Sequence, residues 1–474
     1  MPLVDPLYQF LSNIFSKLHI FYHTMHQPLR ILVAPCGFKE SLGPEDVASC
    51  IEAGVKRAVG DIPSFIRKVP VHDGGEGFCK SFVAYHSGKL HELEVTGPIG
   101  KPVMAHYGIV NINGGSKTAV LDMASAAGLT LVPKDQRNPT LTTTYGVGQL
   151  MSAALDNGCQ RIIIGCGDSG TSDGGAGMLQ ALGAQLLDSD GNELPLAAGG
   201  ASLADLKSIS LANIHHRLQS SAKGKHRRSR TCYKLFPFAN VTKEDKVIIE
   251  AVCNIENILC GERGVARVYG PQKGATPDQV ETLSKAMDSL AIAAKSILGK
   301  DISTTPGAGA SGGLGAGLML LNTTLRPRVA AIDDYFQLQE EFTHQWDMVF
   351  TAEGSLDWQS AKGKMTVEIA KRARASGCPQ VIALAGTIRE GAESVYAEGI
   401  AAFTSIIDSP LSLEDAIEQT PMLLTNSAER TMRMLLVGLS MRFQPEEVKT
   451  PSISLSQIDA RPAKVDMGVP PVAA

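Results

Sequence analysis

Short apolar runs alternate with helix-spaced apolar positions along most of the chain. The runs are Ile31–Pro35, Ile66–Val71, Thr118–Asp122, Arg161–Gly165, Ile248–Cys253, Met348–Ala352, Val381–Ala385 and Ala402–Ile407. Several are continuously apolar, as strands covered on both faces must be. Val47, Ile51, Val55 and Ala58 predict a helix behind the first run, with Pro44 suited to its first turn. Thr276-Pro277-Asp278-Gln279 predicts another helix start, with an N-cap, Pro at N1 and a capping-box Gln. This alternation predicts an α/β fold whose sites lie in loops at the C-terminal ends of strands.

Three segments fall outside that pattern. Residues 1–29 place Leu7, Phe10, Leu11, Ile14, Leu18 and Phe21 at helical spacing, without the marks of a secretory signal or the Arg content of a mitochondrial one. They are expected to be a dispensable extension, with Met25 as an alternative start. Residues 217–235 form one basic run, expected to be a solvated surface insert rather than a nucleic-acid patch. Residues 444–474, rich in Pro, Ser and Val, are expected to be a disordered tail.

Composition narrows the class. With 44 Lys plus Arg against 48 Asp plus Glu, the net charge of −4 gives no reason to expect nucleic acid or a membrane surface as partner. Nine scattered cysteines, none in a Cys-x-x-Cys pair, argue against a disulfide scaffold or zinc site and fit a cytoplasmic protein. No apolar stretch reaches the roughly 18 residues a membrane span needs. The chain has 47 glycines but only 5% aromatic residues. That balance suits tight loops that approach a phosphate rather than stacking platforms.

Those glycines cluster beside charged residues, each time after a predicted strand or before a helix. Lys39, in Pro35-Cys36-Gly37-Phe38-Lys39-Glu40-Ser41, would stand near a helix N-terminus that favours an anion. His72-Asp73-Gly74-Gly75-Glu76-Gly77 offers Asp73 as a metal ligand or acceptor of a hydroxyl proton. The stretch Gly165–Gly177 carries Gly167, Asp168, Ser169, Asp173, Gly174 and Gly175, with backbone N–H groups for phosphate and carboxylates for Mg²⁺. Lys273, flanked by Gly270 and Gly274, suits a phosphoryl group, and Arg263 could clamp a carboxylate. Gly312 and Gly313 lie in a further glycine cluster, and Glu353, Asp357 and Lys364 follow the run at Met348. No P-loop consensus occurs. Gly165, Gly167 and Gly170 fit a dinucleotide fingerprint, with Asp188 and Asp190 downstream, so a nicotinamide-dependent oxidoreductase is the alternative. A sensor or RNA-binding protein acting through the basic insert is a third.

Taken in order, Phe38-Lys39-Glu40-Ser41-Leu42, Asp73-Gly74-Gly75-Glu76-Gly77, the Gly165–Gly177 loop, Gly270-Pro271-Gln272-Lys273-Gly274-Ala275, the Gly307–Gly315 cluster and Thr351-Ala352-Glu353-Gly354 resemble the glycerate kinase family. The resemblance implies two α/β domains around a cleft, one flavodoxin-like over 30–85 and 280–440, the other restriction-enzyme-like over 86–279. It implies transfer of the ATP γ-phosphate to D-glycerate, giving 2-phosphoglycerate, with Mg²⁺; self-association is left open. On this reading Lys39 and Lys273 meet the phosphates, while Asp73 and Asp173 share the base and metal roles. Glu353 and Asp357 complete the metal shell, and Arg263, Ser41 and Glu76 hold the substrate. Gly167, Asp168, Ser169, Gly174, Gly175, Gly312, Gly313 and Lys364 hold the nucleotide. Four departures stand out: Cys36-Gly37 where relatives carry Asp-Ser, Asp168 for a glycine, Asn254 for an Asp, and Ala352 for a glycine.

Overall fold

A computed structural model describes residues 28–38, 41–112, 115–222, 247–361 and 363–442. Most of the extension, most of the basic insert, the tail and Lys39 lie outside the described residues. The chain builds two large sheets. Five parallel strands form the first: β1 (Leu29–Val33), β2 (Ser64–Lys68), β11 (Met348–Leu356), β12 (Val381–Ile388) and β13 (Ala402–Ser405), in the order β13-β12-β11-β1-β2. Within that sheet the chain order is 2-1-3-4-5, the doubly wound arrangement of flavodoxin-like folds.

The second sheet contains β3 (Lys89–Thr96), β4 (Pro102–Asn111), β5 (Lys117–Asp122), β6 (Arg161–Gly165), β9 (Ile248–Cys253) and β10 (Thr324–Pro327), in the order β10-β9-β6-β5-β4-β3. Strands β5, β6, β9 and β10 are parallel, whereas β4 and the edge strand β3 join antiparallel. A short antiparallel pair, β7 (Gln185–Leu187) and β8 (Ser208–Ser210), stands apart. β3 escapes the apolar-run criterion because Lys89, His91, Glu92 and Glu94 interrupt it, as suits a solvated edge.

The main helices are α1 (Pro44–Val59), α2 (Phe78–Tyr85), α3 (Tyr145–Asp156), α4 (Ala176–Ala181), α5 (Pro277–Leu298), α6 (Ala310–Leu320), α7 (Arg328–Phe336), α8 (Met365–Ala375) and α9 (Thr420–Arg442). The α5 start is as the sequence predicts. Thr276 Oγ1 accepts from Gln279 N–H at 3.3 Å, and Gln279 Oε1 accepts from Thr276 N–H at 2.9 Å. Among the described residues no helix is long and apolar enough to cross a membrane.

The domain limits differ from the expected ones. β10 pairs with β9, and Leu290, Leu314 and Leu318 share a core with Ile162, Ile164 and Ala251. Residues 280–327 therefore belong with the six-stranded sheet, and the chain returns to the other sheet only beyond Pro327. Periodicity identified these helices but carried no information about which sheet they cover. Likewise α2 lies on β4 and β5: Cys79 N–H donates to Asp122 Oδ2 at 3.1 Å, and Gly108 leaves room for Val83.

Strands of the six-stranded sheet follow one another in space in chain order, so right-handed crossovers put their helices on one face. Residues of α3, α4, α5 and α6 pack with Ala119, Leu121, Ile162 and Ile164 there. The opposite face, with Val110, Val120, Ile163 and Val252, shares a cluster with Leu32, Val349, Val381 and Ala383 of the five-stranded sheet. One apolar layer thus joins the two halves. The outer face of the five-stranded sheet is covered by α1 and α9, which cross at Gly54. A Cβ there would meet Thr425 O at 2.2 Å and Ala428 Cβ at 2.8 Å. Gly54→Ala, which in an open helix gains up to about 1 kcal/mol, is therefore predicted to lose about 1–3 kcal/mol in urea unfolding through overpacking. A rise in stability would contradict this close crossing.

Candidate functional site

The strand order of the five-stranded sheet reverses between β1 and β11, and the crevice at such a switch point is where open α/β sheets bind ligands. Beyond β1 the chain stays beside β11, with Cys36 N–H donating to Ala352 O at 2.8 Å. Glu353 follows in β11, 8% exposed. Its Oε1 accepts from Thr366 Oγ1 at 2.9 Å, and Lys364 Nζ lies 3.0 Å from Oε2. The same ammonium lies 3.4 Å from Asp357 Oδ1 and donates to Ser355 O at 2.7 Å. Burial pushes the Glu353 carboxyl above its ordinary range, against the pull of Lys364.

Loop 72–77 carries this cluster across to the second sheet. Asp73 Oδ1 accepts from Gly75 N–H at 3.0 Å, and Oδ2 lies 3.6 Å from Nη1 of Arg328, the first residue of α7. Arg328 Nη2 donates to Gly363 O at 3.1 Å, tying this pair to the Lys364 turn. The Cys36 thiol sits within the field of Asp73, Glu353, Arg328 and Lys364, and burial foremost pushes it far up, so it is neutral. Gly75 rests on the loop after β6, where a Cβ on Gly167 would come 2.5 Å from Gly75 Cα. There Glu76 N–H donates to Asp168 Oδ2 at 3.0 Å, with Asp168 held at a left-handed φ of 51°. Burial, then the Asp168 and Asp122 charges, push Glu76 upward.

Several of the expected site residues are buried or engaged within the protein. Asp173 is 1% exposed, and its two oxygens accept four hydrogen bonds, from Thr144 N–H, Thr144 Oγ1, Gly175 N–H and Gly177 N–H at 2.8–3.1 Å. It ties the start of α4 to that of α3, where a base or metal ligand would need an open oxygen. Lys273 is 3% exposed and donates to Ser169 Oγ at 2.9 Å and Thr171 O at 2.6 Å, so it braces the glycine loop from within. Glu353 and Asp357 do converge, but on the Lys364 ammonium rather than on an open metal position. Among the described residues no three His, Cys, Asp or Glu side chains gather as a metal cage. Arg263 is exposed, and Ser41 Oγ donates to Ile417 O at 3.0 Å.

The glycines divide between packing and approach. Gly174 N–H donates to Gly312 O at 3.0 Å, and a Cβ on Gly312 would fall 1.9 Å from Thr171 O. Gly175 similarly faces Gly317 and Leu314, and Gly313 faces Gly174. Two glycine loops thus lie backbone to backbone. Ser311, Gly312 and Gly313 are all left-handed, and the buried hydroxyls of Thr171, Ser172 and Ser311 have no hydrogen-bond partner. The dinucleotide fingerprint is not realised: α4 begins only at Ala176, and Asp188 Oδ1 accepts from Asp190 and Asn192 N–H in its own turn.

Residues that sequence reasoning missed are Arg328 and Thr366. Arg328 lies in a stretch without glycine and with only one short strand before it, so nothing local marked it. Cys36 was noticed only as a departure from a pattern.

Fold and site together define a two-sheet α/β protein in which carboxylates and cations meet where loops of the two sheets touch. A sequence model described as the Glycerate kinase family matches residues 31–223 and 237–436. The chain is 40% identical over 408 residues to a glycerate kinase of Haemophilus influenzae, covering 86% of this chain and 99% of that protein. It is 37% identical to a glycerate 2-kinase of Escherichia coli, covering 82% and 93%. A crystal structure from Salmonella typhimurium LT2 assigned as glycerate kinase 2 superposes with a TM-score of 0.63 at 35% identity, covering 87% of this chain and 100% of that one. The chain belongs to the glycerate kinase family.

Two substitutions separate chemistry from support. Asp173→Asn turns an amide N–H toward backbone donors and is predicted to cost about 1–3 kcal/mol in urea unfolding. An unchanged midpoint with lost activity would return Asp173 to the chemistry. Glu353→Gln is predicted to behave oppositely. Its folded pKa is raised, so its contribution to stability is present at acid pH and lost as pH rises through that pKa. At neutral pH the Gln variant should melt no lower than the parent, while turnover falls on the order of 100-fold as Lys364 loses its anchor. A lower melt with full turnover would contradict this.

Proposed function

We propose that this protein is an ATP-dependent glycerate kinase of the cytoplasm, transferring the γ-phosphoryl group to a hydroxyl of D-glycerate to give 2-phosphoglycerate. The observation that carries the reading is the meeting of Asp73, Arg328, Glu353 and Lys364 beside a glycine loop with unpartnered hydroxyls, in a chain of this family. Phosphoryl transfer asks mainly for positioning, charge neutralisation and a proton acceptor. Asp73 is open enough to receive the hydroxyl proton, at intermediate exposure and beside a cation. Lys364 neutralises charge on the transferring group, with its ammonium aimed by Glu353 and Asp357. Thr171, Ser172 and Ser311 supply hydroxyl donors for the nucleotide phosphates, and Lys39 is assigned to the same phosphates.

The residues fit Mg²⁺ in its usual manner, held by one or two carboxylates together with phosphates and water. Asp168 and Glu76 are the hard oxygen donors whose mutual repulsion a cation relieves. Bound there, Mg²⁺ would offset charge on the phosphate oxygens. Asp168→Asn is accordingly predicted to raise the half-saturating Mg²⁺ concentration about tenfold in folded protein; an unchanged Mg²⁺ dependence would remove Asp168 from this role.

Phosphorus NMR after incubation with D-glycerate, ATP and Mg²⁺ tests the reaction itself. A 2-phosphoglycerate resonance is expected. Folded protein that forms no phosphoglycerate would overturn the proposal, and 3-phosphoglycerate alone would overturn its regiochemistry.

A further inference from the structure

We infer that Arg328 reads the substrate carboxylate, and that its pairing with Asp73 selects an α-hydroxy acid and directs transfer to the hydroxyl beside the carboxylate. The inference rests on the kinase reading above and names what sets its acceptor. Arg328 leaves the C-terminal end of β10 as the first residue of α7. Its side chain is 18% exposed, and its buried Nε has no hydrogen-bond partner. The helix N-cap is Pro327, with no side-chain cap, so the first-turn amides add to the same positive end. Cys36 and Cys253 are the neighbouring thiols, both kept neutral by burial, so neither supplies an anion. Among the described residues Asp73 is the one carboxylate within ion-pair distance.

An arginine with Nε unused and one edge on a carboxylate is a partly filled fork for a second oxyanion. Its distance from Asp73 decides which oxyanion fits. The acceptor hydroxyl must lie on the Asp73 carboxylate to lose its proton. Whatever is bonded to the neighbouring carbon then falls beside the guanidinium, 3.6 Å from Asp73 Oδ2. In an α-hydroxy acid that group is the carboxylate. A β-hydroxyl stands one carbon further from its carboxylate, while the acceptor and leaving oxygens must lie roughly in line across the γ-phosphorus. Arg263, exposed to solvent, makes no comparable juxtaposition.

Wild-type competition and Arg328 variants test this together. D-Lactate should compete with D-glycerate, and 3-hydroxypropionate should compete at least tenfold more weakly. Arg328→Gln and Arg328→Lys should raise KM for D-glycerate about 10–100-fold while changing KM for ATP less than threefold. The preference of the parent for D-glycerate over its neutral amide should largely vanish in Arg328→Gln. If the Gln variant fails to fold, the Lys variant, which keeps charge but loses the planar fork, carries the test with the competition data. Equal competition by the two acids, retained discrimination against the amide, or a rise in KM for ATP instead would overturn the inference. A wild-type protein that phosphorylates no glycerate would overturn the kinase reading and this inference with it. Active wild type with indifferent Arg328 variants would sink the inference alone.

Discussion

The site depends on a contact that only glycine permits, the seating of loop 72–77 on the loop that follows β6. A side chain on Gly75 would collide with Asp168, and one on Gly167 would collide with Gly75. Because neither exists, a loop that leaves the five-stranded sheet touches one that leaves the six-stranded sheet. Asp73 then lies within reach of Arg328, and Glu76 beside Asp168. The apolar layer shared by Leu32, Val349, Ile163 and Val252 holds the two sheets together underneath. It sets the distance between the halves, while the glycines set how closely their loops meet.

Charge in the cleft follows from that geometry. Glu353 is buried enough to resist ionisation and is kept in use by Lys364, which Ser355 O and Asp357 also hold. Burying a carboxylate against one cation costs stability, the usual trade at a functional site. Asp173, buried in the glycine loop, accepts from four donors and ties that loop to the start of α3. Lys273 plays the same internal part as a cation.

Much of this was legible in the sequence because burial on both faces leaves an uninterrupted apolar run. Arg161–Gly165 and Ile248–Cys253 fall where the runs do, and the Thr276 capping box forms as written. Edge strand β3 was not legible, since its charged alternation resembles loop. The return crossing was misplaced at 280 because helical spacing in α5 says that one face is buried but not by what. In the site, glycine and carboxylate density picked out loops 72–77 and 165–177, which the fold brings into contact. It could not separate Asp73, which faces the cleft, from Asp173, which faces inward, because both sit in Asp-Gly-Gly. Arg328 was invisible for the complementary reason: its importance comes from sheet topology, which places the end of β10 opposite Asp73.

A crystal structure of the protein with D-glycerate and a non-hydrolysable ATP analogue tests the central claim most directly. The account predicts the acceptor hydroxyl on Asp73, the carboxylate on Arg328, and the phosphates toward Thr171, Ser172 and Ser311 with Lys364 alongside. Glycerate bound at Arg263, or phosphates remote from both glycine loops, would contradict it.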